Sequence, residues 1–124
     1  MLLGDLLTAV AYDLPVTFVV FDNGRLGMVK LEQEAGGLPE FGTVLHNPDL
    51  ATVATAMGLT GMRVTEAGQV DEAVRSALAH PGPTLLDVVT NAQEVALPPK
   101  TGVHEAWGFA VAKLKESVVS HDAD

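Results

Sequence analysis

A predominantly apolar run, residues 15–21, ends abruptly at the polar pair Asp22 and Asn23 and is followed by two closely spaced glycines. Such a run is typical of a buried strand, and the glycines indicate a tight loop. An amphipathic segment begins near Gly27, so this stretch predicts a strand, a loop and a helix. Ligands of open parallel sheets bind beyond the carboxyl ends of the strands. Asn23 is therefore expected at a ligand site.

Helical and strand patterns alternate along the rest of the chain. This alternation predicts an α/β fold built as a three-layer, doubly wound parallel sheet. The chain opens on a helix where a preceding strand would be expected, so the sheet is predicted to be incomplete at its N-terminus. We expect one domain over residues 1–120 and a frayed tail over 121–124. The predicted helices cover about 2–13, 26–34, 48–57, 69–79 and 103–120, and the predicted strands cover 15–21, 59–64 and 84–90.

The same patterns predict the setting of several side chains. Asn47 is expected to be the N-cap of a helix because a proline and an acid follow it. Lys30 and Glu34 are helix neighbours and are expected to form a surface ion pair. Asp87 interrupts an apolar strand, which favours a place in a buried hydrogen-bonded network over the alternative of a place in an interface. Trp107 lies at core spacing on the last helix, which predicts packing or a subunit contact. The same side of that helix carries Ala110, Val111, Leu114 and Val118.

The charge balance limits the expected partners. The chain has 16 Asp and Glu against 7 Lys and Arg, and its formal net charge of -9 opposes phosphate backbones and anionic lipid surfaces. Nucleic acid is therefore not an expected partner. The chain has no cysteine, which excludes disulfides and thiolate metal sites. Residues 1–11 have no basic N-terminal region, so no secretory signal peptide is predicted and a cytoplasmic location is expected.

The polar corner belongs to a set of segments spread over nearly the whole chain. Residues 22–28 read Asp-Asn-Gly-Arg-Leu-Gly-Met, and later segments read Gly-Leu-Thr-Gly-Met-Arg-Val, Gly-Pro-Thr-Leu-Leu-Asp-Val and Ala-Leu-Pro-Pro. With these segments the chain resembles the C-terminal cofactor-binding domain of thiamine-diphosphate enzymes. Within that family it is most similar to pyruvate oxidase and quinone-linked pyruvate dehydrogenase. The resemblance implies thiamine diphosphate and Mg²⁺ as cofactors, and pyruvate or a similar 2-oxo acid as substrate.

The family's metal site joins a Gly-Asp-Gly motif at the end of one strand to an Asn-Asn motif at the end of the next. The resemblance implies that Asn23 supplies a side-chain amide ligand to Mg²⁺ and that Arg25 supplies a backbone carbonyl ligand. Mg²⁺ is a hard ion that accepts such oxygens together with phosphate oxygens. The other cofactor-binding positions that the resemblance implies are Gly24, Leu26 and Gly27.

Met28 and Glu32 are four residues apart and so share one face of the predicted helix. In pyruvate oxidases the matching positions carry an aromatic residue and a glutamate that face the substrate, so the resemblance implies catalytic roles for both. Glu32 would orient the pyruvate-derived adduct or exchange protons with it. Met28 replaces the usual Phe and would supply an apolar wall. Asp22 replaces the family's first Asn and is not expected to bind the metal, because neighbours at a strand end point to opposite faces.

The Gly-Asp-Gly half of the family motif is not in the sequence, and Gly4-Asp5 does not replace it because that pair lies in the first predicted helix. The resemblance thus implies an N-terminally truncated chain, without the metal-binding Asp, the pyrimidine-binding domain and the domain that binds FAD. The chain alone is expected to lack catalysis and to bind cofactor weakly or not at all. Its expected partners are the pyrimidine-binding domain or a second subunit in a homo-oligomer. The quinone-linked branch implies a position peripheral to the inner membrane.

Three alternatives stay open at this point. An acetolactate-synthase-like relative shares this domain but not the Ala-Leu-Pro-Pro segment. A receiver-like signalling domain would use Asp22 as a phosphoacceptor, but it also needs an acidic pair after an earlier strand and a lysine after a later one. A non-catalytic remnant would act as an association module.

Overall fold

The computed structural model describes residues 3–93 and 103–121, which fall into two compact units. The predicted domain boundary at residue 120 stays a prediction. The Ala-Leu-Pro-Pro segment and residues 122–124 of the predicted tail lie outside the described residues. No helix in the described part of the chain is both long enough and apolar enough to cross a membrane. The first unit comprises residues up to 23 together with 47–90, and the second comprises 24–46 and the residues from 91 onward.

The first unit is built on a parallel sheet of three strands in the order β1-β3-β2. These strands are β1 (Thr17–Asp22), β2 (Thr60–Val64) and β3 (Thr84–Val89). Each boundary lies within two residues of its predicted position. The α/β class is therefore confirmed. The helices in chain order are α1 (Leu6–Ala11), α2 (Gly27–Ala35), α3 (Leu50–Ala56), α4 (Val70–Ala79) and α5 (Val103–His121).

Helices cover both faces of the sheet in the first unit. Leu85 of β3 lies in the buried core with side chains from α1 and α3. Its neighbour Thr84 points to the opposite face, and so does Thr17, the register partner of Thr84. The Thr17 hydroxyl donates a hydrogen bond to the Ala77 carbonyl oxygen of α4 at 3.4 Å. One helical layer therefore lies on each face, as the doubly wound pattern predicted.

Asp87 is a buried charge at the centre of this sheet, with an exposed fraction of 0%. Its carboxylate accepts a hydrogen bond from the backbone N–H of Leu50 at 3.2 Å and forms an ion pair with Arg63 of β2. Both contacts use Oδ2, whereas Oδ1 has no hydrogen-bond partner among the residues described. The predicted buried network is confirmed, and it connects α3 to β2 and β3.

The N-cap of α3 is Asp49, so the prediction of Asn47 was wrong. The Asp49 carboxylate accepts a hydrogen bond from the backbone N–H of Thr52 at 2.8 Å, and this bond lowers the pKa of Asp49. Asn47 instead donates its side-chain amide to the Asp22 carboxylate at 2.8 Å. Asn and Asp cap helices about equally well, so sequence preference alone did not decide between them.

Trp107 is 71% exposed, so the prediction that it packs within the chain was wrong, whereas the alternative of a subunit contact stays a prediction. Gly108 and Ala112 are buried instead. A Cβ on Gly108 would overlap the Ala35 carbonyl oxygen of α2, so the two helices approach closely only where α5 carries small residues. Close backbone approach favours glycine and alanine over bulky side chains, and a hydrophobicity pattern does not register that preference. The exposed members of the predicted stripe are Trp107, Ala110, Leu114 and Val118.

Candidate functional site

The end of β1 is fixed within the first unit by hydrogen bonds from two directions. The backbone carbonyl of Asp22 accepts a hydrogen bond from the N–H of Thr90 at 2.9 Å, and the Asp22 carboxylate accepts one from the Asn47 amide. Asn23 follows directly and is half-buried. It therefore lies beyond the carboxyl end of β1, where the sequence placed it. Its role as a metal ligand stays a prediction.

The loop that begins the second unit is held on both sides of Arg25. Gly24 adopts a φ of 62°, in the left-handed region that favours glycine. The Gly24 carbonyl accepts a hydrogen bond from the N–H of Leu45, and the N–H of Leu26 donates to the Thr43 carbonyl, both at 2.8 Å. The two bonds form a short antiparallel bridge centred on Arg25. The backbone of the predicted cofactor-binding loop is thus fixed before and after this residue.

Glu40 joins the two sides of that bridge through its side chain. Oε1 of Glu40 contacts the Arg25 guanidinium and accepts a hydrogen bond from the Thr43 hydroxyl. Burial raises the pKa of Glu40, but the Thr43 hydroxyl and the Arg25 charge together outweigh it and hold the pKa below its ordinary value of 4.5. The carboxylate is therefore ionised at neutral pH.

The N-terminus of α2 directly follows this loop. Leu26 is its N-cap, the Leu26 side chain makes no capping hydrogen bond, and the first turn of α2 contains no acidic residue. The exposed N–H groups at a helix N-terminus carry partial positive charge and attract anions. Gly27 and the turn after it therefore present an end of α2 that fits a phosphate group.

Met28 and Glu32 lie on the exposed face of α2. Met28 is 62% exposed and Glu32 is also exposed, whereas Lys30, Leu31 and Glu34 are buried on the other side of the helix. The shared face that the spacing predicted is therefore present. The catalytic roles of Met28 and Glu32 stay predictions.

Lys30 and Glu34 form a buried pair, so the prediction of a surface pair was wrong. Lys30 is only 3% exposed, and its Nζ lies 3.7 Å from the Glu34 carboxylate and 3.8 Å from the Glu40 carboxylate. Lys30 also donates a hydrogen bond to the Gln93 side chain at 2.7 Å. The spacing of two charges on a helix does not reveal which side of that helix other segments will cover.

The charged network formed by Lys30, Glu34 and Glu40 extends to residues of α5. Lys113 donates hydrogen bonds to Glu116 at 2.8 Å and to Glu34 at 2.6 Å, and these bonds raise the pKa of Lys113. Glu116 also accepts the backbone N–H of Glu40 at 3.1 Å. The Lys113 ammonium lowers the pKa of Glu116 below its ordinary value of 4.5, against the opposing effect of burial. The second unit is therefore held by charged groups as well as by apolar packing.

We expect the second unit to lose stability below about pH 4.5. The folded-state pKa values of Glu40 and Glu116 lie below 4.5, so their contribution to stability is present above that pH and is lost as the pH falls through the folded values. At high pH the relevant group is Lys113, whose folded-state pKa is raised above 10.5. Its contribution to stability is present below 10.5 and is lost as the pH rises through the folded value. Thermal melts over a pH series, followed by circular dichroism, measure both limits.

A Glu116→Gln variant should show a weaker loss of stability in acid than the unaltered chain. The matched control is Asp71→Asn, because Asp71 pairs with Arg75 while both side chains are more than 80% exposed. That exposed pair should contribute little. If stability falls at the same pH and by the same amount in the Glu116→Gln variant and the unaltered chain, this account is contradicted.

The two metal ligands that the resemblance implies, Asn23 and Arg25, have the kind of oxygen atoms that Mg²⁺ binds. The amide oxygen of Asn23 and the backbone carbonyl of Arg25 are hard, neutral donors that suit Mg²⁺ alongside phosphate oxygens. Within residues 3–93 and 103–121, no three His, Asp or Glu side chains are grouped as a metal site. The predicted donor set therefore fits the ion but contains no carboxylate.

Sequence reasoning missed Glu40, Thr43 and Glu116, all of which hold the loop or its supports. Residues 38–47 have no periodic pattern, so the sequence predicts only a loop there and no contacts for its side chains. The one usable signal was the opposite charge of Arg25 and Glu40. Two opposite charges fifteen residues apart do not by themselves predict a contact.

A parallel α/β sheet can bind a phosphate-containing cofactor where a polar corner beyond its edge strand is followed by a glycine loop and the N-terminus of a helix. The family model of the thiamine pyrophosphate enzyme, C-terminal TPP binding domain, matches residues 1–88. This match includes β1, β2, all of β3 except Val89, and the loop around Arg25 with Asn23 before it. The chain belongs to the thiamine pyrophosphate enzyme family, within its C-terminal TPP-binding domain.

The chain is similar to a thiamine pyrophosphate-containing protein and to several acetolactate synthases. The provisionally named thiamine pyrophosphate-containing protein YdaP of Bacillus subtilis is 38% identical over 115 residues, which cover 93% of this chain and 20% of YdaP. The catalytic subunit of mitochondrial acetolactate synthase from Saccharomyces cerevisiae is 32% identical over 82% of this chain and 15% of its own length. The large subunit of acetolactate synthase isozyme 2 from Escherichia coli K12 is 38% identical over 60% of this chain and 14% of its own.

The chain thus spans a fifth or less of the length of these three relatives. None of the three is named as a pyruvate oxidase. The thiamine-diphosphate family is therefore shown, and the particular reaction is a matter for proposal.

Proposed function

We propose that this chain is the part of a thiamine-diphosphate- and Mg²⁺-dependent enzyme that holds the cofactor's diphosphate during decarboxylation of pyruvate or a similar 2-oxo acid. The observation that carries the proposal is the loop fixed on both sides of Arg25 and followed directly by the N-terminus of α2, whose N-cap residue Leu26 makes no side-chain capping bond. The family match over residues 1–88 supports the same cofactor. When bound, thiamine diphosphate would supply the carbon nucleophile and the electron sink for the loss of CO₂.

The ligand roles are assigned by the position of each donor along the loop. Asn23 would bind Mg²⁺ through its amide oxygen, and Arg25 would bind it through its backbone carbonyl. Gly24, Leu26 and Gly27 would form the backbone around the diphosphate. Because the chain carries a net charge of -9, the diphosphate needs this cation and the helix N–H groups to offset repulsion.

The catalytic roles belong to the exposed face of α2. Met28 would supply an apolar wall beside the substrate carbons. Glu32 would hold or move a proton at its carboxylate. The pyrimidine-binding domain or a second subunit of a homo-oligomer would complete the site, and the protein would work in the cytoplasm.

Two fates of the decarboxylated substrate are proposed, each with its own support. Transfer of electrons through FAD follows from the resemblance to pyruvate oxidase and quinone-linked pyruvate dehydrogenase. Addition to a second 2-oxo acid follows from the acetolactate synthases among the similar proteins. Incubating the protein of full natural length with pyruvate, and measuring acetolactate against acetate, separates the two reactions.

We expect Asn23→Ala to weaken binding of thiamine diphosphate in the presence of MgCl₂ by at least about 10-fold, because the ion loses a direct ligand. Isothermal titration calorimetry on the protein of full natural length measures the change. Asn91→Ala is the matched control, since Asn91 is exposed and is not among the proposed ligands. Equal affinity in the Asn23→Ala variant and the unaltered protein would refute the assignment.

A further inference from the structure

The peptide group between Arg25 and Leu26 is the part of the loop that decides where the proposed carbonyl ligand points. The N–H of Leu26 donates to the Thr43 carbonyl at 2.8 Å. The peptide group is planar and trans, so the Arg25 carbonyl must point away from that bond. The orientation of this carbonyl therefore depends on the position of the Thr43 backbone.

Glu40 holds both partners of this arrangement. Its Oε1 accepts a hydrogen bond from the Thr43 hydroxyl and contacts the Arg25 guanidinium. One carboxylate oxygen thereby joins the segment that donates the carbonyl to the segment that orients it. The two backbone hydrogen bonds of the short bridge connect the same two segments, and this oxygen adds a side-chain link between them.

Glu40 is itself held in place from α5 and α2. Its backbone N–H donates to Glu116 at 3.1 Å, and the Lys30 Nζ lies 3.8 Å from its Oε2. Thr43 is 1% exposed, so its hydroxyl has little access to water as a substitute partner. Contacts from α2 and α5 therefore fix the position of Glu40, and Glu40 in turn fixes the loop.

We infer that Glu40 is a positioning residue, which orients the Arg25 carbonyl toward a bound divalent cation by holding Thr43 and the Arg25 side chain. The inference rests on the proposed function, because it assigns that carbonyl to the cation. Glu40 acts through its neighbours and is not itself a ligand. Partners that orient a metal ligand commonly change metal affinity 10- to 100-fold when they are removed.

The test uses the protein of full natural length with Glu40→Ala. We expect its affinity for thiamine diphosphate with MgCl₂ to fall about 10-fold. Without cofactor, we also expect faster hydrogen exchange at the Leu26 amide, measured by nuclear magnetic resonance. Glu40→Gln keeps an oxygen that can accept from Thr43 and should restore most of the affinity. Unchanged affinity and unchanged Leu26 exchange in the folded Glu40→Ala variant would overturn the inference.

Two further variants separate this role from a general effect on folding and from failure of the proposed function. Lys115→Met removes a hydrogen bond from α5 to the Gly37 carbonyl, at 2.9 Å, without removing a contact to Glu40, Thr43 or Arg25, so it should leave cofactor affinity within about twofold of the unaltered value. A loss as large as that of Glu40→Ala would mean a structural role only, and would overturn the inference. Asn23→Ala tests the proposed cation site itself. If Asn23→Ala binds normally, the proposed function fails, whereas normal binding by Glu40→Ala alone refutes only the positioning role.

Discussion

Replacing Gly61 with alanine is expected to destabilise the first unit by about 3 kcal/mol or more. Gly61 lies in β2, where a Cβ would overlap the Ala51 carbonyl oxygen and lie 2.7 Å from the Thr55 hydroxyl oxygen. The Ala51 oxygen belongs to the backbone of α3, so it cannot rotate away as a flexible side chain would. The helix would have to move off the sheet. Urea unfolding followed by circular dichroism measures the loss as a lower midpoint.

Gly68→Ala is the matched control for this substitution in the same unit. Gly68 lies in the turn Ala67–Gln69, and no described atom lies within 4 Å of the position that a Cβ would take there. We expect its effect to stay within about 0.5 kcal/mol. Equal midpoints for the two variants would show that α3 does not pack against β2 as closely as described.

Replacing Arg63 with methionine is expected to cost roughly 3 kcal/mol, because it leaves a buried carboxylate without its ion-pair partner. Asp87 would then retain the Leu50 N–H as its hydrogen-bond donor among the described residues, while its Oδ1 already has no partner there. The cost comes from the uncompensated charge more than from the lost contact. The free energy of unfolding from urea titrations measures it.

The double variant Arg63→Met with Asp87→Asn should be more stable than Arg63→Met alone. The Asp87→Asn substitution removes the buried charge, and the amide oxygen of the new asparagine side chain can still accept a hydrogen bond from the Leu50 N–H. Recovery of stability on adding a second substitution is the mark of a charge effect. If the double variant is the less stable of the two, packing of the Arg63 side chain and not the charge of Asp87 explains the loss.

The strands β1 and β3 were predictable because each is a short, mostly apolar run between turn residues. Pro15, Asp22, Pro83 and Thr90 bracket β1 and β3, and the observed boundaries fall within two residues of those predicted. The packed side of α5 was not predictable in the same way. Its contact with α2 depends on the space around Gly108, and that space is set by a distant element of the chain.

In the candidate site, too, the features set by residues close in sequence were predictable, and those set by distant residues were not. The position of Asn23 at the strand end and the shared face of Met28 and Glu32 follow from residues close in sequence. The setting of Arg25 depends on Glu40 and Thr43, which the chain brings back from a segment without periodic pattern. Local patterns therefore located the loop, while the contacts that orient it required the tertiary structure.

The central place of β3 determines the order in which the sheet can assemble. Thr84 is the register partner of both Thr17 and Thr60, so β1 and β2 each pair with β3 and not with each other. During synthesis on a ribosome, β1 and β2 emerge before β3, so neither of these two pairings can form until the chain has been made beyond Val89. Such long-range pairing slows folding and leaves strand edges open to aggregation in the meantime. A nascent chain of this protein would therefore gain the β1–β3 and β2–β3 pairings late, after β3 has been made.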